Sequence, residues 1–211
     1  MLSLGFQGRP ERVDVHDFPD PEIPKAIPYG VYDIAADEGW MGIGDHHDTA
    51  AFAVHTISRW WDTMGRERYP DATSLMITAD AGGSNGYRNR LWKRDLAALA
   101  EPTGLKITIC HFPPGTSKWN KVEHRMFSFV TINWRGRPLT SYQAIVELVQ
   151  AATTETGLRI QAEYDQGWYL TGIEVTDTEL AALPLTGHDW HPEWNYDLTP
   201  PPKPRKRNRH K

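Results

Sequence analysis

A single cysteine, Cys110, stands in 211 residues. No intramolecular disulfide is possible, and a reducing compartment is the expected setting. No apolar run approaches the roughly 20 residues that a membrane-spanning helix needs. The first residues lack the basic-then-apolar pattern of a secretory signal. These absences argue against a membrane protein and point to the cytoplasm. No dinucleotide loop is present, because Gly82, Gly83 and Gly86 do not fall at GxGxxG spacing. Two histidine clusters, Asp45-His46-His47-Asp48 and His188-Asp189-Trp190-His191, each lack a complete ligand set at zinc-site spacing. No internal repeat is visible. Positive charge is scarce outside the last residues. The chain carries −4 with His neutral, and Lys203 to Lys211 hold six basic side chains, so the rest carries −10. A purely electrostatic nucleic-acid binder does not have so acidic a body. A nucleic-acid role must rest on a local site, on metal-neutralised carboxylates, or on the basic tail, which reads equally well as a solubilising, disordered terminus.

What the chain does have is aromatic side chains, nine Trp among them, enough to build a core. Residues 1–28 are rich in Pro, Asp and Glu and read as an irregular arm, with Val13 to Phe18 extended. Tyr29 to Ala35 and Trp40 to Gly44 read as a β-hairpin around Ala36-Asp37-Glu38-Gly39. Asp48 is an N-cap candidate for a helix carrying Ala53, Ile57, Trp60, Trp61 and Met64, and Gly65 suits its end. The Trp pair fits that helix's core side better than a base-stacking role. Ser74 to Ala79 is a short apolar run without alternation and predicts a strand buried on both faces. A helix from about Tyr87 to Ala100, a strand from Leu105 to Phe112 with Cys110 inside it, and helices over 120–133 and 140–156 follow, the last two separated by Gly136 and Pro138. Trp168 to Val175 reads as extended, and Thr176-Asp177-Thr178-Glu179 as a capping box. The organisation expected is an arm (1–28), an α/β core (29–157), a C-terminal extension (158–200) and a basic tail (201–211). Alternating β and α after a hairpin predicts a mixed sheet flanked by helices.

Two carboxylates stand out. Asp80 ends the apolar run Leu75-Met76-Ile77-Thr78-Ala79 and precedes Ala81-Gly82-Gly83-Ser84-Asn85, at the strand end where open α/β sheets gather ligands. Asp before Gly-Gly is also an ordinary turn former. Glu123 follows Pro113-Pro114-Gly115-Thr116-Ser117-Lys118-Trp119-Asn120-Lys121-Val122. With Asn120 as N-cap it reads as half of an Asn-x-x-Glu capping box, favoured by the helix dipole. The loop before it is too specific for a mere connector. Its hydroxyls, amide, lysines and indole suit a sugar-phosphate backbone. A carboxylate at a strand end and another at a helix start are parts of a two-metal phosphoryl-transfer site, which ordinarily has a third.

The stretches Val15-His16-Asp17-Phe18-Pro19-Asp20, Pro28-Tyr29-Gly30-Val31-Tyr32-Asp33, His47-Asp48-Thr49-Ala50, Thr78 to Gly86 and Cys110 to His124 give the chain a resemblance to the DDE transposases of bacterial insertion sequences, specifically the ISAzo, or Rhodopirellula-type, family. The likeness runs over nearly the whole chain. It implies a ribonuclease-H-like core that cuts and joins DNA with Mg²⁺ or Mn²⁺ held by an Asp-Asp-Glu triad. Asp80 would be the second carboxylate and Glu123 the third. Asn85, Thr116, Ser117, Lys118, Trp119, Asn120 and Lys121 would contact DNA. Partners would be transposon ends and further copies of the transposase, in the cytoplasm at the nucleoid. In the family the first Asp sits on a first, central strand upstream of the hairpin. No residue here occupies that position. Asp14, Asp17, Asp20, Asp33 and Asp37 are candidates only by proximity, with Asp33 the best of them. The expectation is a truncated transposase, without its central strand and inactive alone. A metal-dependent nuclease with the same core and another target would share these residues. A reading of a different class is a non-catalytic fragment that binds DNA or full-length transposase and interferes with transposition.

Overall fold

The structure is a computed structural model that describes residues 26–134, 141–152 and 157–202. The expected extended segment at Val13 to Phe18, the break at Gly136 and Pro138, the end of the helix at 153–156 and the basic tail lie outside the described residues.

Strands β1 (Ile27–Asp33) and β2 (Glu38–Gly44) form the expected antiparallel hairpin, with Ile27 opposite Gly44 and Asp33 opposite Glu38. Its turn falls at 34–37. Asp33 Oδ1 accepts the backbone N–H groups of Ala35 and Ala36 at 3.0 and 3.1 Å. Asp37 takes φ 54°, a left-handed conformation that Asp tolerates better than most residues. Helix α1 (Ala50–Trp60) is capped by Thr49 rather than Asp48, and the Thr49 hydroxyl accepts from Phe52 N–H at 3.2 Å. Gly65 does not end the helix. The chain runs on through a wide turn (Trp61–Gly65) into α2 (Arg66–Arg68), with Gly65 itself helical at φ −63°. A Cβ on Gly65 would stand 2.6 Å from the Trp61 ring, so this glycine answers to packing.

Strand β3 (Ser74–Ala79) leads through a glycine loop to α3 (Arg90–Thr103). That helix begins later than its apolar pattern predicts, because Asn89 Oδ1 takes the N–H groups of Leu91 and Trp92 and so holds residues 87–89 outside it. Gly104 closes it at φ 71°. Strand β4 (Lys106–His111) follows, then a wide π turn (Glu123–Phe127) opening α4 (Ser128–Trp134), and α5 (Tyr142–Gln150) capped by Ser141. The next strand is β5 (Arg159–Tyr164), where none was expected, while Trp168 to Val175 forms none. Helix α6 (Asp177–Ala181) carries the expected capping box of Thr176 and Glu179. Two short strands close the order, β6 (Leu185–Gly187) and β7 (Asn195–Leu198).

The strands make two mixed sheets rather than one. One sheet is β1-β2-β5, with β5 parallel to β2, and the other is β3-β4-β7-β6, with β3 parallel to β4 and β7 antiparallel to it. Residues between 158 and 200 thus supply strands to both. A core of Trp60, Trp61, Trp92, Leu96, Ile107, Ile109 and Tyr196 joins α1 and α3 to strands of both sheets. Burying one such large apolar side chain stabilises the fold by about 1.5–3 kcal/mol. The Trp60–Trp61 pair is core, as expected. A second cluster joins Met41, Ile43, Met126, Val149 and Ile160 on the far side of the hairpin. Period-2 alternation explains how one hairpin serves both. A Cβ on Gly42 or Gly44 would meet Thr56 or Phe52 of α1, and one on Gly30 or Gly39 would meet Met126. Arg59 joins α1 to β5 through a two-point bond to Glu163, at 2.8 and 2.9 Å.

Strand β3 is less buried than its composition predicts, and Met76 is 68% exposed. The exposure alternates, because Leu75 and Ile77 pack against the core while Ser74 and Met76 point to the opposite face. Both β1 and β3 are edges of their sheets, and among the described residues neither outer edge pairs with another strand. Every residue of β3 and residues 28–33 of β1 line one cavity of 720 Å³, floored by Ile57, Trp60 and Trp61. The beginning of β1 lies at the Asp80 end, because Tyr29 interacts with Asn85 and Asp80. Its last residue, Asp33, accepts a 2.8 Å bond from the hydroxyl of Tyr69, shortly before β3 starts. A strand entering the cavity antiparallel to β1 would therefore run parallel to β3.

Candidate active site

Asp80 is the first residue beyond β3, and two bonds from the end of β4 fix its backbone. Phe112 N–H donates to the Ala79 carbonyl at 2.8 Å. The His111 Nδ1–H donates to the Asp80 carbonyl at 3.0 Å. A carbonyl can only accept, so the proton sits on Nδ1. His111 is buried, its Nε2 is 3.5 Å from the Tyr196 hydroxyl, and burial pushes its pKa below the usual value, which favours the neutral ring. Beyond Asp80 the chain folds tightly. Gly83 sits at φ 75°, Gly86 N–H donates to Gly83 O at 3.2 Å, and Asn89 Nδ2 donates to Ser84 O at 2.9 Å.

Glu123 opens the wide turn, where Asn120 Oδ1 accepts from Val122 N–H at 3.4 Å. Asn120 thus caps this helix, bonding the second residue after itself. The height of the turn is set by Met126, fully buried over Gly30 and Gly39. Partial burial of the Glu123 carboxyl raises its pKa, and the charge of Asp80 raises it further, while His124 works the other way. Asp80 and Glu123 therefore share one electrostatic space. Both line the cavity between β1 and β3.

The Pro113 to Lys121 loop is held from within. Thr116 Oγ1 donates to Pro113 O at 2.6 Å, Trp119 N–H donates to Thr116 O at 2.8 Å, and Gly115 takes φ 81°. Of the residues expected to touch DNA, Lys118, Trp119 and Lys121 are exposed. The Thr116 hydroxyl is used inside the loop, Asn120 is buried as a cap, and Asn85 bonds the hydroxyl of Tyr29. Ser117 lies in the short turn Ser117–Trp119. Asp33 is far along β1 from Asp80 and already serves Tyr69, Ala35 and Ala36. Asp37 accepts from the Tyr32 hydroxyl at 2.7 Å. Neither joins the pair.

Sequence reasoning missed three features of the site. One is His111, whose adjacency to Asp80 depends on the parallel pairing of β3 with β4. Another is Gly30, which admits the Glu123 turn. The third is Asp48, freed from capping by Thr49 and lying on the cavity rim. The histidine clusters serve the fold. Asp45 accepts from the Tyr164 hydroxyl and pairs with His46 at 3.1 Å, and His188 pairs with Asp197 at 3.2 Å. Cys110 is half-buried, its thiol pushed up by burial and by Asp197. Among the described residues no group of three or more His, Cys, Asp or Glu is arranged to hold a metal, and no helix is long and apolar enough to cross a membrane.

Asp80 and Glu123 offer hard oxygen donors to one cavity. Mg²⁺ characteristically takes one or two carboxylates and fills its remaining positions with water and phosphate oxygens. Residues 4–200 match a family model described as the Rhodopirellula transposase DDE domain. No curated protein and no solved structure matches the chain.

Proposed function

Because this chain belongs to the Rhodopirellula transposase DDE-domain family, a transposase family whose members act on DNA, we propose that Asp80 and Glu123 are two carboxylates of its DNA-cleaving and strand-transfer centre. The observation that carries this is that Asp80, just beyond β3, and Glu123, at the start of the wide turn, line the same cavity. Carboxylates held where they repel each other have a use for a cation between them. Mg²⁺ or Mn²⁺ bound there would neutralise charge on a phosphate and acidify a water or a 3′-hydroxyl. The protein's own share is positional. His111 and the Ala79–Phe112 bond hold Asp80, and Met126 on Gly30 and Gly39 seats Glu123. Phosphoryl transfer asks mainly for positioning and charge stabilisation, so little further protein chemistry is required.

A third carboxylate arrives, on this reading, on a central strand that enters the cavity between β1 and β3 from outside the described residues. On this reading the described residues hold two of the three carboxylates of the centre. The two free edges also favour association with another transposase chain, since unpaired strand edges recruit strands. The test is an Mn²⁺ titration followed by electron paramagnetic resonance, with a parallel nicking assay on duplex DNA. Weak Mn²⁺ binding lost in both Asp80→Asn and Glu123→Gln supports the pair. Unchanged Mn²⁺ binding in both variants removes the proposed centre. Metal-dependent nicking by the wild-type chain, abolished by Asp80→Asn, supports the centre and shows that the chain itself supplies the third carboxylate.

A further inference from the structure

Gly82 has no reason within the fold to be glycine. Its φ lies outside the left-handed region, and a Cβ built on it would meet nothing within 4 Å. The neighbouring glycines differ. Gly83 sits at φ 75°, and a Cβ on Gly86 would stand 3.0 Å from the Ala81 carbonyl oxygen. Where neither backbone nor packing demands glycine, the remaining use is close approach of something from outside. Gly82 lines an open cleft together with Asp80, Arg88, Pro113, Pro114 and Gly115. Gly115, which its φ of 81° already requires to be glycine, likewise leaves open space at its Cβ position.

Charge assigns the visitor. Two cavities meet at Asp80. The one between β1 and β3 is lined by Asp33, Asp48, Asp80 and Glu123 and by no Lys or Arg. In the other, the charged side chains are Asp80 and Arg88 alone. Arg88 lies 5.2 Å over the Tyr87 ring, which steadies the guanidinium beside the cleft. Without a cation the first cavity repels a polyanion, whereas the second offers Arg88 against the single carboxylate of Asp80. We infer that the cleft between Gly82 and the Pro113–Gly115 turn carries the sugar-phosphate backbone of one nucleic-acid strand past Asp80, with Arg88 on a phosphate. This rests on the reading of Asp80 as part of the reactive centre.

The experiment measures binding of a fluorescein-labelled DNA duplex to the full chain across a salt series, beside thermal denaturation and Mn²⁺ titration. Arg88→Ala is expected to weaken binding several-fold and to make the slope of log K against log salt shallower by about 1. Gly82→Ala is expected to leave the melting temperature unchanged or slightly higher, to leave Mn²⁺ binding unchanged, and to weaken DNA binding. Wild-type affinity and slope in both variants overturn the cleft, as does a wild-type chain that does not bind the duplex. Loss of DNA binding in the variants of a chain that binds no Mn²⁺ upholds the cleft and removes the metal reading instead.

Discussion

The His111 imidazole donates from Nδ1 to the main-chain carbonyl of Asp80 across 3.0 Å, so the proposed catalytic loop after β3 is braced by the last residue of β4. The two side-chain amides can each imitate one ring nitrogen. His111→Asn places a donor near Nδ1, and His111→Gln places one near Nε2. Both variants are expected to lose about 1–2 kcal/mol in urea denaturation, since both disturb a buried hydrogen-bonded group. Only the Gln variant is expected to lose Mn²⁺ affinity. Equal Mn²⁺ binding by the two variants would show that this bond does not position Asp80.

Glu123 carries a cost in stability. Its carboxyl pKa is raised by partial burial and by Asp80, so the folded state holds its proton more tightly than the unfolded chain does. The charged form is therefore disfavoured on folding above the ordinary glutamate range. Glu123→Gln is expected to melt at the same temperature as the wild type or higher at pH 7, while losing Mn²⁺ binding. A clear drop in melting temperature would mean that Glu123 is chiefly structural.

Asp197 has the opposite sign. Burial works to raise its pKa, but bonds from Lys106, Thr108 and His188 outweigh it and leave the carboxyl at about 2, against an ordinary 3.8. The resulting stability is present above pH 3.8 and is lost as pH falls toward 2. It amounts to at most about 2 kcal/mol, and to about half that once solvent screening is counted. Acid titration of stability should show this loss in the wild type. Asp197→Asn should be less stable at pH 6 and flatter between pH 4 and pH 2. An unchanged acid limb in the variant contradicts the assignment.

The facing edges of β1 and β3 predict a pattern of amide exchange. Alternate amides of each strand, those turned toward the cavity, should exchange fast, while those bonded to β2 or β4 are protected. Mass-spectrometric or NMR exchange measures this directly. Uniform protection along both strands would mean that a strand already fills the cavity.

Where the sequence was legible, the signals were local. The hairpin, β3 and β4 announced themselves through β-branched and aromatic runs, and the Thr176–Glu179 box through its spacing. The misassignments share one cause, which is partners distant in sequence. Strand β5 alternates cleanly, with Ile160 and Ala162 buried, yet its pairing with β2 comes from far upstream. The aromatic stretch at Trp168 to Val175 looked more strand-like and has no such partner. Tyr196 and Leu198 are fully buried in a four-residue strand too short to carry a periodic signal. Asp48 and Thr49 are both competent caps, and only the packing of α1 decides between them. Asp80 and Glu123 were readable as residues. Their shared cavity, and the histidine behind Asp80, follow from strand order.

Strand β7 gives the protein an order of events. Thr108 and Asp197 bond at 2.6 Å although they stand 89 positions apart, and Tyr196 of the same strand backs His111. A chain leaving the ribosome exposes Asp80, its glycine loop and the Pro113–Gly115 turn long before β7 emerges. At ordinary synthesis rates of about 5–20 residues per second, the brace behind Asp80 closes several seconds after the residues it steadies. The nascent protein thus passes through an interval in which its carboxylates exist without a fixed geometry. Competence to handle DNA would then be acquired only once β7 has emerged and paired with β4.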